Sequence, residues 1–154
     1  MSAVRVALTA VFTAALLGVA LPAVDAGRAE RTTTSLDATA ERIERAGNHL
    51  RSVEDPTPPD VPGARAVVSV EIPARSWRAA GVGYVAVGGP PGSRGGDDAV
   101  VYRLDGASRR TVPLDLPVRT RDGPVVFRTP GRHELALSLV RDDGVAVVVS
   151  RGRG

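Results

Sequence analysis

The sequence predicts a mainly β protein, α+β overall, in which an apolar N-terminal helix and an amphipathic helix precede an antiparallel β-sandwich of six or seven strands. Three observations predict it. Val6 to Val24 is a run of nineteen residues without a charge. At Gly63 the apolar period changes from about 3.6 to 2. Beyond Gly63, Gly, Pro and Asp clusters recur at about ten-residue spacing, which is the punctuation of short strands.

The uncharged run VALTAVFTAALLGVALPAV would span about 28 Å as a helix, close to the hydrocarbon thickness of a bilayer. Residues 1–27 therefore read as a transmembrane anchor. A cleaved signal is the alternative, with Arg5 as a thin n-region and Val24-Asp25-Ala26 offering the small residues that a signal peptidase inspects. The flanking charges, Arg5 and the amino terminus against Arg28 and Arg31 with Glu30 between them, lean by about one charge toward a cytoplasmic C-terminal part. A short N-terminal tail followed at once by an apolar stretch favours an extracytoplasmic C-terminal part.

Residues 28–54 form the amphipathic helix. Leu36, Ala40, Ile43, Gly47, Leu50 and Val53 recur at steps of three and four, which places them on one helical face. Leu36, Ile43 and Leu50 are its strong apolar members, and they could serve a partner helix or lie on the chain's own β domain. The helix starts anew at Thr34 or Ser35, or runs on from the apolar span with a bend at Pro22. Residues 55–63, with four prolines, end it and form an extended linker.

The β domain covers residues 64–151, with 152–154 as a tail. Ala66 to Ile72 alternates, and Val82 to Val87 is apolar on both faces as a central strand would be. Gly88 to Gly96 reads as a flexible loop, followed by a strand from Ala99 to Leu104 and the turn Asp105-Gly106. Val112, Leu114, Leu116 and Val118 predict one edge strand, with Pro113 and Pro117 pointing outward. Val125 to Arg128 follows. A last hairpin pairs Leu135, Leu137 and Leu139 with Val145 to Val149 across Asp142-Asp143-Gly144, where Gly144 supplies a positive φ.

Composition excludes several function classes. Cys is absent, so there is no disulfide framework, thiolate metal site or Cys nucleophile. All twenty basic residues are Arg, and the five aromatics are Phe12, Trp77, Tyr84, Tyr102 and Phe127. So few aromatics leave no stacking platform for nucleic acid, and the 24 Val must build the core. His49 and His133 lack metal-ligand spacing to any acid. Asp97-Asp98 and Asp142-Asp143 fit turns rather than a calcium loop. The Gly88–Gly96 loop lacks the Lys and the Ser/Thr that follows it in a phosphate loop, and its prolines remove amides that would hold phosphate. No catalytic residue, cofactor or metal is expected.

The closing stretch Pro130-Gly131-Arg132-His133-Glu134-Leu135-Ala136-Leu137-Ser138-Leu139 resembles the last strands of immunoglobulin-like or fibronectin-type-III-like extracytoplasmic modules, which implies an immunoglobulin-like β-sandwich. An apolar helix running into an amphipathic helix and a small β domain resembles type IV pilins, pseudopilins and archaeal pilin-like subunits. The Arg-only, Ala/Val/Asp/Gly-rich composition is similar to uncharacterised membrane-anchored proteins of haloarchaea. The span carries no acidic residue near its start, so the resemblance implies an accessory rather than a polymerising subunit.

Charge divides the chain: residues 25–63 carry a net −3 and residues 64–154 a net +5. Arg109, Arg110, Arg119 and Arg121 fall in turns or at strand ends and could share one rim for an acidic partner. The expected partners are the lipid bilayer and a protein bound through the helix or the β domain, with no nucleic acid and no specified small-molecule ligand. The sequence therefore points to a non-enzymatic, single-pass extracytoplasmic membrane protein, an accessory or pilin-like component of a surface or secretion assembly. The alternative is a secreted or envelope binding module that uses the Arg-rich rim.

Overall fold

The computed structural model describes residues 3–59, 61, 63–141 and 143–152. Residues 1–2 of the predicted anchor, Asp60 and Pro62 of the linker, Asp142 of the last turn and 153–154 of the tail lie outside them. One helix, α1 (Ala3–Val53), covers both predicted helical pieces. At 1.5 Å per residue its 51 residues extend about 76 Å. Pro22 lies inside it; a proline deletes one intrahelical bond, and the Ala- and Leu-rich flanks sustain the helix on either side.

The two halves of α1 have opposite surroundings. From Val4 to Val24 the described large apolar side chains stand in the open, with Val11 70% and Phe12 67% exposed. This half contains an 18-residue window of mean hydropathy 2.1, long and apolar enough to cross a membrane. From Arg28 onward the helix docks on the β domain, and Thr32, Leu36, Thr39, Ala40, Ile43, Gly47 and Leu50 are buried.

Among the described residues eight strands follow: β1 (Arg65–Ile72), β2 (Val82–Val87), β3 (Ala99–Leu104), β4 (Arg109–Pro113), β5 (Val118–Arg119), β6 (Val125–Phe127), β7 (Gly131–Arg141) and β8 (Val145–Arg151). They form two four-stranded sheets, ordered β1-β7-β8-β5 and β4-β3-β2-β6. One core joins Val70, Leu137 and Val147 of the first sheet, Val85, Val100 and Tyr102 of the second, and Leu36, Ile43 and Leu50 of α1. The helix is thus a wall of the core.

The predicted edge strand over Val112–Val118 is two strands in different sheets. β4 ends at Pro113, and β5 begins at Val118 in the opposite sheet. Between them Leu114 and Leu116 are buried while the chain crosses over. Both pieces are edge strands, where prolines are tolerated. The crossing also makes β5 parallel to β8, the one exception to antiparallel pairing among the described strand pairs. In β2 a bulge at Gly83 puts Val82 opposite Leu104 but Tyr84 opposite Arg103. Val82 consequently shares the inner face with Val85 and Val87, while Tyr84 and Ala86 join a small outer cluster. The last hairpin turns with positive φ at Asp143 (47°) and at Gly144 (134°), as its Gly predicts.

The extended linker and the Gly88–Gly96 loop are both tied down. β7 outruns β1, whose first residue Arg65 pairs with Ser138, so the edge beyond Ser138 is open. Thr57 of the proline-rich segment fills it: Arg141 N donates to Thr57 O at 2.9 Å, and Thr57 N to Leu139 O at 3.4 Å. The Gly88–Gly96 loop is packed rather than free. A Cβ on Gly88, whose φ is +90°, would lie 2.6 Å from Thr120 Cγ2, so only glycine permits that approach.

Candidate functional site

The stripe Leu36, Ile43 and Leu50, offered by the sequence to a partner helix or to the β domain, belongs to the β domain. These residues are 1%, 0% and 4% exposed and leave no apolar face for a coiled-coil partner. Gly47 explains the close approach, since a Cβ there would sit 3.1 Å from Leu116 Cδ2. A side chain at that position would push the helix off the crossover between the sheets.

Polar bonds fix the register of the docked helix. Thr32 Oγ1 accepts from Ala80 N at 3.0 Å, and Glu44 Oε2 accepts from Asp115 N at 3.2 Å. Asp37 takes the Tyr102 hydroxyl on Oδ1 at 2.7 Å and the Arg110 guanidinium on Oδ2 at 3.2 Å. Nearer the apolar half, Arg28 Nε donates to Trp77 O at 2.7 Å. These contacts run along the helix from 28 to 44. Sequence periodicity marked the apolar residues between them but not Thr32, Asp37 or Tyr102, because a polar residue on a helix face reads as solvated. The one available signal was that Thr32 precedes Leu36 by four residues and so extends the stripe.

Burial pushes the Tyr102 phenol up to about 12, and the hydrogen bond to the Asp37 carboxylate adds to it. The ordinary value is 10.0, so above that pH the unfolded chain gives up the proton before the folded one does. The contribution to stability is complete below pH 10.0 and is lost as pH rises through about 12. The urea midpoint should therefore fall over that window, and Tyr102→Phe should flatten the fall. Asp37→Ala leaves the buried hydroxyl without its acceptor and should cost about 1–3 kcal/mol in urea unfolding at neutral pH.

Arg109 and Arg110 lie on β4 and Arg119 on β5, in different sheets, with Arg121 two residues beyond β5's end. Arg110 is committed to Asp37, and Arg109 pairs across the ladder with Arg103 in the β4-β3-β2-β6 sheet. Arg119 and Arg121 lie by the other sheet, where Arg121, Arg65, Thr57 and Ser138 help line a groove of about 510 Å³. Arg119, Thr120 and Arg121 line an adjoining hollow of about 410 Å³.

The remaining candidates have structural roles. His133 stacks on Phe127, ring centroids 4.9 Å apart, with Nε2 2.7 Å from Thr129 O, and His49 is exposed on the helix. Asp98 Oδ1 accepts from Val118 N at 2.7 Å, tying the start of β3 to β5. Among the described residues no group of three or more His, Cys, Asp or Glu side chains is placed to hold a metal.

No curated protein and no solved structure matches the chain. Residues 3–152 match the family described as Domain of unknown function (DUF7311), and with nearly its whole length matched the chain belongs to that family.

Proposed function

We propose that the protein is a non-enzymatic, membrane-anchored component of a surface or secretion assembly, with its β domain on the extracytoplasmic side. The observation that carries this reading is the division of α1. Its second half is a wall of the β-domain core, while its first half presents bare apolar side chains that water would not tolerate in bulk. The hydroxyls in that half are satisfied within the helix: Thr9 Oγ1 donates to Arg5 O and Thr13 Oγ1 to Thr9 O, each at 2.8 Å. A lipid environment demands such internal satisfaction.

One long helix, half bare and half packed on a β domain, also supports the pilin-like reading, and the Arg-only, Ala/Val/Asp/Gly-rich composition the haloarchaeal one. Two sheets over one core support an immunoglobulin-like reading of the β domain. The bare span lacks an acidic residue, which favours an accessory role. The chain should fractionate with membranes and resist alkaline extraction, and protease added to intact cells should degrade the β domain. Protection in intact cells would overturn the orientation, and release by alkali would overturn the anchor.

The groove lined by Arg65 and Arg121, with Arg119 in the adjoining hollow, favours a second reading, an envelope or secreted module that recognises an acidic ligand after signal cleavage. Intact mass distinguishes the two, since a mature chain beginning at Gly27 has lost its span.

A further inference from the structure

Trp77 combines two properties that rarely coincide in a free protein. Its side chain, the sole Trp of the chain, is 68% exposed, yet the loop that carries it is fixed. Ser76 N donates to Ala79 O at 3.0 Å, and Ser76 Oγ accepts from Arg78 N and Ala79 N at 3.2 Å each, closing a turn with Trp77 near its tip. Two bonds then clamp this turn to α1, Arg28 Nε to Trp77 O and Ala80 N to Thr32 Oγ1. Residues 28 and 32 are one helical turn apart on the same face. Ordering a loop costs conformational entropy, and an ordered loop that holds a large apolar ring in water gains nothing for the isolated chain.

The clamp also sets the position of the turn along α1. Asp25 is the first charged residue after the uncharged run, and Arg28 lies about 4.5 Å further along the axis. Asp25, Arg28, Arg75, Ser76 and Asp105 line one hollow of about 230 Å³, so the β1–β2 turn meets the helix where the apolar half ends. Arg78 stacks on the Trp77 ring, Cζ 4.2 Å from its centroid. Arg28, Arg31, Arg75 and Arg78 stand in this region against Asp25, Glu30 and Asp105.

We propose that Trp77, with Arg75 and Arg78, docks into the headgroup layer of the phospholipid bilayer that the apolar half of α1 crosses. The inference rests on the anchored reading and adds to it a second contact, made by the β domain itself. An indole suits that layer because its body is apolar and its N–H finds acceptors there. Guanidinium groups pair with lipid phosphates in two-pronged hydrogen bonds. The β domain is then seated on the membrane surface by two elements, so its orientation is fixed instead of swinging on a single stalk.

The single Trp makes the test direct. The full chain is reconstituted into phosphatidylcholine and phosphatidylglycerol vesicles whose acyl chains carry bromine near the carbonyl end or near the terminal methyl. The chain should float with the vesicles. Trp77 emission should shift to the blue, lose most of its intensity to the shallow bromine and less to the deep one, and be shielded from iodide. A chain that floats while Trp77 stays open to iodide and unquenched by bromine overturns the docking and leaves the anchor standing. A chain that does not float overturns both. Arg75→Glu/Arg78→Glu should lose most of the shallow quenching while still floating, and undiminished quenching would remove the arginines from the contact.

Discussion

Ile43→Asp is expected to abolish the folded β domain although residue 43 lies on the helix. Ile43 is 0% exposed and belongs to the core that both sheets share. A carboxylate there has no partner, and burying an unpaired charge or keeping it protonated costs several kcal/mol on top of the lost packing. A domain of this size holds only about 5–15 kcal/mol in total. Because a charge at the core says little about gradation, Ile43→Ala supplies the scale. It should cost about 2–5 kcal/mol, all of it from packing, since Ala is the better helix former. Exposed Glu41→Ala, two residues away, should stay within about 0.5 kcal/mol. Far-UV circular dichroism and urea unfolding of the full chain in detergent measure all three. Were the stripe reserved for a partner, Ile43→Ala would leave the isolated chain as stable as wild type.

The helix is needed because the β residues alone build a thin core. Aromatic residues are few, and in the shared core only Tyr102 and Phe127 contribute rings. Small domains bury a smaller fraction of their surface than large ones. Leu36, Ile43 and Leu50 add bulk where valines would leave the core open. A requirement for the docked helix also accounts for its polar register bonds at Thr32, Asp37 and Glu44, which place the stripe on the sheets without a slip of one turn.

Much of the strand pattern was legible because alternation records which side chains face the core. Ala66 to Ile72, Val82 to Val87, Ala99 to Leu104 and Leu135 to Leu139 each have one face on it. The same property hid the crossover. Leu114, Leu116 and Val118 stay in phase with Val112 while the chain passes from one sheet to the other, because both inner faces look into one core. Alternation carries parity and not sheet identity. The parallel β5–β8 pair follows from that crossing and was equally invisible.

The arginines mark a second limit. Arg109 and Arg110 stand only about ten residues from Arg119, yet they lie in different sheets. Local spacing gives strand ends, whereas a shared rim depends on strand order. Composition misled at Gly88–Gly96, where glycines read as flexible but serve close packing against Thr120 and Gly123. Trp77 was visible as a residue, but nothing local reveals that Arg28, 49 positions earlier, holds its carbonyl.

Leu16→Arg/Leu17→Arg is expected to release the protein from membranes while leaving the β domain folded. Nine residues of Val6–Val24 are Leu, Val or Phe, and at about −0.3 to −0.6 kcal/mol each they favour insertion by roughly 3–5 kcal/mol. Near the centre of a span each Arg costs about 2.5–3.5 kcal/mol, so one substitution brings the balance near zero and two drive it well past. Leu16 and Leu17 are 59% and 57% exposed and touch nothing in the core, so the urea midpoint in detergent should match wild type. Fractionation should then move the double variant out of the membrane pellet, with the single variant divided between the two fractions. Arg at 16 or 17 lies too far from either end of the run to snorkel freely to water. If the run were instead a signal, the double variant would accumulate uncleaved inside the cell at full-length mass, whereas wild type would appear at the mass of a chain beginning near Gly27. A double variant that pellets with membranes but is released by alkali would mean that the β domain, through contacts such as Trp77, holds the membrane surface by itself, whereas one that resists alkali would overturn the insertion balance argued for the run.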